Sequence, residues 1–294
     1  GFYYSNSGRN TEGYLADIET TSQVLDILKA SGMISFADND IKKALPEHLK
    51  NGIIKFIKSR QDPNGYFYHP QWTHEMVDQA ASRRARDLSK GISTLKSLGA
   101  LPTYPNPLGS DYDGIDADGN VVIGVSSAIT TPLRKSTVSS VSKVIPTATA
   151  IPQHMVNDVT FKEWLAKFDL NGDSYTVGNN IAAQTGQIIA RDKQLIEEGK
   201  NYLLSQILID WFNANCYEST GHWNSIADYE GTNGLLKISA AYLEIAKSGL
   251  GVEAMLPYPE QTMVSLVDAL RTEEYARTDC YAYNVWYSIC NLFD

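Results

Sequence analysis

The chain has 294 residues, 43% of them hydrophobic, and 25 Lys+Arg against 34 Asp+Glu give it a formal net charge of −9. That length and apolar fraction suit a globular protein with one large core or two modest ones and exclude wholesale disorder. The acidic balance, without a Lys/Arg-rich run, leaves no electrostatic footprint for nucleic acid, and no apolar run is long enough to span a bilayer.

The first residues, Gly1-Phe2-Tyr3-Tyr4, carry no initiator Met, basic stretch or apolar leader, and read as the start of a processed or cloned fragment. A mature exported protein is one such case, and the abundance of Tyr, Asn, Ser and Thr suits it. A polar stretch leads to an amphipathic helix from Asp17 that closes at Gly32. A second helix, Pro46 to Arg60, puts Leu49, Ile53, Ile54, Phe56 and Ile57 on one broad face. It runs into Gln61-Asp62-Pro63-Asn64-Gly65-Tyr66-Phe67, a tight turn followed by aromatics, and a polar segment then enters a helix from Arg86 to Gly99. From Pro105 to Pro152 the helical period is lost, although Val121–Val125 fits a short strand. This stretch reads as a long insertion within one domain, with a boundary between two domains as the alternative.

Asp169-Leu170-Asn171-Gly172-Asp173 places oxygens as a calcium loop does, but Ser174 stands where that loop needs Gly and Asn180 where it needs Glu. A helix-capping turn is expected there, and no metal or cofactor. Asp192 to Asn213 is expected as one long helix burying Leu195, Tyr202, Leu203, Ile207, Leu208, Trp211 and Phe212. The turn Glu218-Ser219-Thr220-Gly221-His222-Trp223 and a helix from Gly234 to Gly249 follow, and two further helices at about Glu260–Arg271 and Thr278–Leu292 complete the chain. Strand signals are scarce, so the fold class is all-α. Cys216, Cys280 and Cys290 are odd in number and lack metal-ligand spacing, so burial is expected for all three.

Three segments therefore share one grammar: a Gly-aromatic turn, a polar stretch, then an amphipathic helix ending at Gly32, Gly99 or Gly249, where a left-handed cap is wanted. The run Phe56 to Phe67, with Gln61 ahead of Asp62-Pro63-Asn64-Gly65 and an aromatic behind it, resembles the prenyltransferase/squalene-cyclase repeat. The resemblance implies an α/α toroid of helical hairpins, here one domain over 1–294 with 105–152 as an irregular insertion. It does not bring that superfamily's chemistry. Asp111-Tyr112-Asp113-Gly114 and Asp116-Ala117-Asp118-Gly119 lack the fourth residue of the cyclases' Asp-x-Asp-Asp motif, and no Asp/Cys/His zinc set is present. The same architecture also serves polysaccharide lyases and glycosidases, by analogy of fold.

The richest polar segment runs from Tyr66 to Asp87. Tyr68 and His69 are its candidates for proton transfer and Arg86 for clamping a carboxylate, with Asp17 and Glu19 as catalytic carboxylates. Tyr66, Trp72, His74, Arg83 and Arg84 are the substrate-binding candidates, joined by His222, Trp223, Asp228 and Glu230. Counting back 13 positions from the closing glycines places Glu19, Arg86 and Leu236 at equivalent sites, followed by Thr20, Asp87 and Lys237. Asp17 and Glu19 facing Asp228 and Glu230 across a funnel would supply the two carboxylates of a glycosidase. The same residues fit a structural role: Tyr68 and Trp72 packed between hairpins, the arginines paired with Asp87 and Glu75, and Asp17 and Glu19 favouring a helix start. The expectation is a secreted or cell-surface protein of bacterial type, a polysaccharide lyase or glycoside hydrolase holding a glycan in the toroid funnel. A non-enzymatic glycan- or protein-binding module is its rival, and a helical scaffold within a longer polypeptide a third possibility.

Overall fold

The computed structural model describes residues 1–104, 107, 114–115, 121–122, 151–271 and 281–293. The chain is helical and falls into two compact units, Gly1–Ala150 and Ile151–Asp294. Each has a hydrophobic core of its own. The border between them lies at the end of the Pro105–Pro152 stretch. Of that stretch's interior, strands β1 (Gly114–Ile115) and β2 (Val121–Val122) are described, and they pair antiparallel. The Asp-rich motifs at 111–113 and 116–119 lie outside the described residues, as does Cys280.

Unit 1 contains α1 (Asn6–Asn10), α2 (Ile18–Ala30), α3 (Ile41–Ala44), α4 (Glu47–Lys58), α5 (His74–Gln79) and α6 (Ala81–Ser97). The Asp17 carboxylate caps α2 by accepting the Thr20 N–H at 2.7 Å, and Gly32 and Gly99, at φ of +72° and +74°, end α2 and α6 as left-handed residues. α6 packs against both α2 and α4. The apolar faces bury Leu25, Ile53, Ile57, Leu88 and Leu95, while Leu49, Ile54 and Phe56 pack at the margin. The turn between α4 and α6 is clamped by Gln61. Its amide donates to the carbonyls of Gly65 and Tyr104 at 3.0 and 2.9 Å, and its side-chain carbonyl accepts the Tyr104 N–H at 2.9 Å. Phe67, fully buried, lies over Gly91 of α6, where a Cβ would come within 2.9 Å of the ring.

Unit 2 contains α7 (Asp158–Leu165), α8 (Ser174–Ala182), α9 (Thr185–Glu197), α10 (Leu204–Ala214), α11 (Tyr229–Ala246), α12 (Pro259–Arg271) and α13 (Tyr281–Phe293). The expected helix from Asp192 to Asn213 is in fact two, broken after Gly199, whose φ is +70°. The physical reason is Asp192. Its buried carboxylate reaches from α9 to the start of α10 and accepts the N–H groups of Leu204 and Ser205 at 2.6 and 2.9 Å, together with the Ser205 hydroxyl. Leu203, at the N-cap position of α10, has no side-chain acceptor, so Asp192 supplies the cap from elsewhere in the chain. α11 packs against α8, α9 and α13, and α10 against α7 and α9. Trp223 follows its turn as Phe67 does in unit 1: it is fully buried, and its indole donates to the Phe212 carbonyl at 2.8 Å. Cys216 is partly buried, and that burial pushes its thiol up to about 12. Cys290 is exposed, contrary to the expected burial of every cysteine.

Asp192→Ala strips the acceptor from two buried backbone donors and is expected to destabilise the protein by about 3 kcal/mol. A lowered urea midpoint checks this; a loss under about 0.5 kcal/mol would mean that the cap does not hold the α9–α10 junction.

Candidate functional site

Ten of the predicted site residues belong to unit 1, where α2, α6 and the connection between α4 and α6 bring most of them together. Two of the positions counted from the closing glycines lie side by side: Arg86 Nη1 is 3.5 Å from Glu19 Oε1. Arg83 binds the same Glu19 at 2.6 Å, and its Nε and Nη2 lie 3.2 and 3.0 Å from the two oxygens of Asp87. Arg83 is thus the hub of an internal ion network with Glu19 and Asp87, and Glu75 instead accepts the Gln79 amide at 3.4 Å. The Asp87 side chain is fully buried, and burial raises its pKa to about 6 against the pull of Arg83.

The aromatic residues divide into two groups. Tyr66 and Tyr68 are core residues, 1% and 5% exposed, which corrects their expected place at a funnel mouth. The Tyr68 hydroxyl accepts the Asn64 amide at 2.7 Å and its ring stacks on His74 at 3.9 Å, so Tyr68 is engaged as a packing residue and is not open to a substrate as a base. His74 lies 3.3 Å from Asp62, and Arg84 lies over the Tyr66 ring at 4.3 Å. His69 and Trp72 form the outer group. Their rings stack at 4.9 Å, the Arg83 guanidinium lies 4.9 Å from the Trp72 ring, and Trp72 is 37% exposed. The Gln71 N–H donates to His69 Nδ1 at 3.2 Å, which assigns the proton of the neutral ring to Nε2. Burial first, then the charge of Arg83, lowers the pKa of His69. Asp17 is occupied by its cap, also accepting the Thr20 hydroxyl at 2.8 Å.

Unit 2 holds the other four. His222 and Trp223 are fully buried, which corrects their assignment to substrate binding. Asp228 caps α11 by accepting the Gly231 N–H at 2.9 Å. Glu230 is exposed and borders a cleft of about 710 Å³ between α8, α11 and α13. The cleft is also lined by Asp173, Tyr175, Tyr229, Asn233, Lys237 and Asn284. The Asn284 amide donates to Asn233 at 2.5 Å, and the Lys237 ammonium lies 5.6 Å from the Tyr175 ring. Asp169 and Asp173 accept the N–H groups of Gly172 and Thr176, each at 2.9 Å, so the calcium-like run is the capping turn that the sequence pointed to. Most of these residues carry no functional signal in the sequence. The oxygen-rich turn at 169–173 and the position of Lys237 are the exceptions, and nothing in the sequence marks the pairing of α8 with α11.

Comparison with protein-family models, with curated proteins and with solved structures finds no match, so the repeat resemblance rests on the local turn chemistry alone. Among the described residues no helix is long and apolar enough to cross a membrane, and no three His, Cys, Asp or Glu side chains cluster as metal ligands.

His222 sets a pH dependence. Neither ring nitrogen has a hydrogen-bond partner, and burial pushes its pKa down to about 4 against the opposing charge of Asp228. The unfolded chain takes up this proton near pH 6.5 and the folded chain near pH 4, so stability is full above about 6.5 and falls as the pH drops between those values. The loss approaches about 3 kcal/mol. His222→Leu is expected to remove it, flattening the melting temperature between pH 7 and 4.5 relative to the parent; parallel profiles would contradict this.

Proposed function

We propose that this is an exported carbohydrate-active protein that seats a glycan in the cleft of unit 2. The observation that carries the reading is the lining of that cleft: two tyrosines, an amide pair and two carboxylates around about 710 Å³. A sugar ring offers apolar C–H faces and a belt of hydroxyls. Tyr175, 43% exposed, and Tyr229 supply flat amphipathic surfaces for the faces. Glu230 and the Asp173 oxygen not used in capping α8 accept hydrogen bonds from hydroxyls, while the Asn233–Asn284 pair fixes amide donors and acceptors in place. The volume falls within the ordinary range for small-ligand sites, roughly 300–1,000 Å³.

Binding is the part of this reading with the most support. A glycoside hydrolase is the second reading, favoured by the two carboxylates Asp173 and Glu230 on one cleft. A lyase built on Tyr68, His69 and Arg86 loses support, because Tyr68 is buried and Arg86 lies beside Glu19. The α/α toroid remains the scaffold proposed for the chain. Its support is the common turn grammar of the α4–α6 and α10–α11 hairpins and their buried post-turn aromatics, Phe67 and Trp223.

Calorimetry of the full chain against a panel of neutral and acidic oligosaccharides tests the proposal. Saturable binding to at least one member is expected, with Tyr175→Ala weakening it tenfold or more, equivalent to about 1.4 kcal/mol. New reducing ends that vanish in Glu230→Gln would establish hydrolysis. An inert panel, or binding indifferent to Tyr175→Ala, would overturn the assignment.

A further inference from the structure

Arg60, in the turn that follows α4, differs from Arg83 and Arg86. Arg83 is bound by Glu19 and Asp87, and Arg86 is beside Glu19. Among the described residues, Arg60 has no ion pair and no side-chain hydrogen bond, although the chain has 34 acidic against 25 basic residues. Its guanidinium lies over the Phe56 ring at 5.4 Å, and its Nε is sealed from solvent without a partner. A buried histidine or carboxyl can escape the cost of desolvation by changing its protonation, but an arginine cannot. With only Nε sealed, the terminal nitrogens of this guanidinium stay open to an anion from outside the chain.

Two further groups share the place. The Tyr68 N–H donates to the Arg60 carbonyl at 2.8 Å, which brings the segment carrying His69 alongside Arg60, and the charge of Arg60 acts on the His69 ring. With Nδ1 committed to Gln71, the His69 Nε2–H is a neutral donor that has no hydrogen-bond partner among the described residues. Trp72 stacks on His69 and presents an exposed part of its ring.

We propose that Arg60, His69 and Trp72 form a receptor for an acidic sugar, with Arg60 taking the carboxylate of a uronate. The two terminal guanidinium nitrogens suit bidentate binding of a carboxylate. The His69 Nε2–H donates to a ring hydroxyl or to the carboxylate, and the exposed part of the indole packs against the sugar's C–H groups. This site lies in unit 1 and shares no residue with the cleft of unit 2, so each assignment can fail without the other.

Sodium glucuronate titrated into the full chain at fixed ionic strength tests it, read by the Trp72 indole N–H and His69 ring resonances. Saturable shifts are expected, with acetate and methyl glucoside each binding at least tenfold more weakly. Arg60→Gln should weaken glucuronate tenfold or more with its circular dichroism unchanged, and Tyr175→Ala should leave it unaltered. Arg60→Lys, which keeps the charge, should retain part of the affinity, and Trp72→Ala should lower it even if Arg60→Gln proves unstable. No saturable shift, equal affinity in Arg60→Gln, or acetate binding as tightly as glucuronate would overturn the assignment.

Discussion

The close approach of α8 to α11 is the contact on which the cleft of unit 2 depends. Two glycines permit it. A Cβ at Gly178 would come within 2.9 Å of the Ile238 side chain, and one at Gly234 would collide with the Ser174 hydroxyl. With those positions bare, the first turn of α8 lies against the first half of α11. The polar ends of the two helices then border one opening with Asn284 of α13. The Ser174 hydroxyl, held short of Gly234, is bonded to the Asn224 side chain, which ties the start of α8 to the turn before α11. Packing therefore comes first, and the clustering of tyrosines, amides and carboxylates follows from it.

The same economy governs the buried charges. Arg191, 3% exposed, donates to the carbonyls of Met155 and Val156 at 3.1 and 3.2 Å and pairs with Glu198 at 2.5 Å. Asp192, beside it, is spent on the cap of α10. Asp87 and Glu19 are spent on Arg83. Buried polar groups with their partners in place fix a fold and offer a ligand little. Against that background the exceptions are informative. His222 has no hydrogen-bond partner on either ring nitrogen and is sealed, so it answers to pH, whereas half-buried Arg60 has no ion pair among the described residues and half-buried His69 uses only Nδ1.

Much of the helical plan was legible in the sequence, because amphipathic period and a closing glycine are local signals. Gly32, Gly99 and Gly249 all adopt the left-handed backbone that their positions required. The contact of Arg86 with Glu19 was not read from the sequence, since counting from the glycines gave equivalent positions and said nothing of their distance. The break between α9 and α10 was not legible. The apolar period continues across it, and the cause is a carboxylate a dozen positions upstream. Tyr66, Tyr68, His222 and Trp223 misled for a different reason: a buried aromatic and a ligand-binding one share the same composition, and only packing separates them. The cleft was the least legible feature. It arises where α8 meets α11 through two glycines, and glycine within a helix carries no message about which element it faces.

If the α8–α11 approach builds the proposed glycan-binding cleft, Gly234→Ala disturbs it most directly. The added methyl forces the Ser174 hydroxyl away and opens the helix pair at the mouth of the cleft. Its affinity for the tightest-binding oligosaccharide is to be measured by calorimetry beside the parent chain, with far-ultraviolet circular dichroism confirming the helices. At least a tenfold loss of affinity is expected, with helicity retained. A folded Gly234→Ala variant that binds the oligosaccharide as tightly as the parent would contradict the proposed cleft.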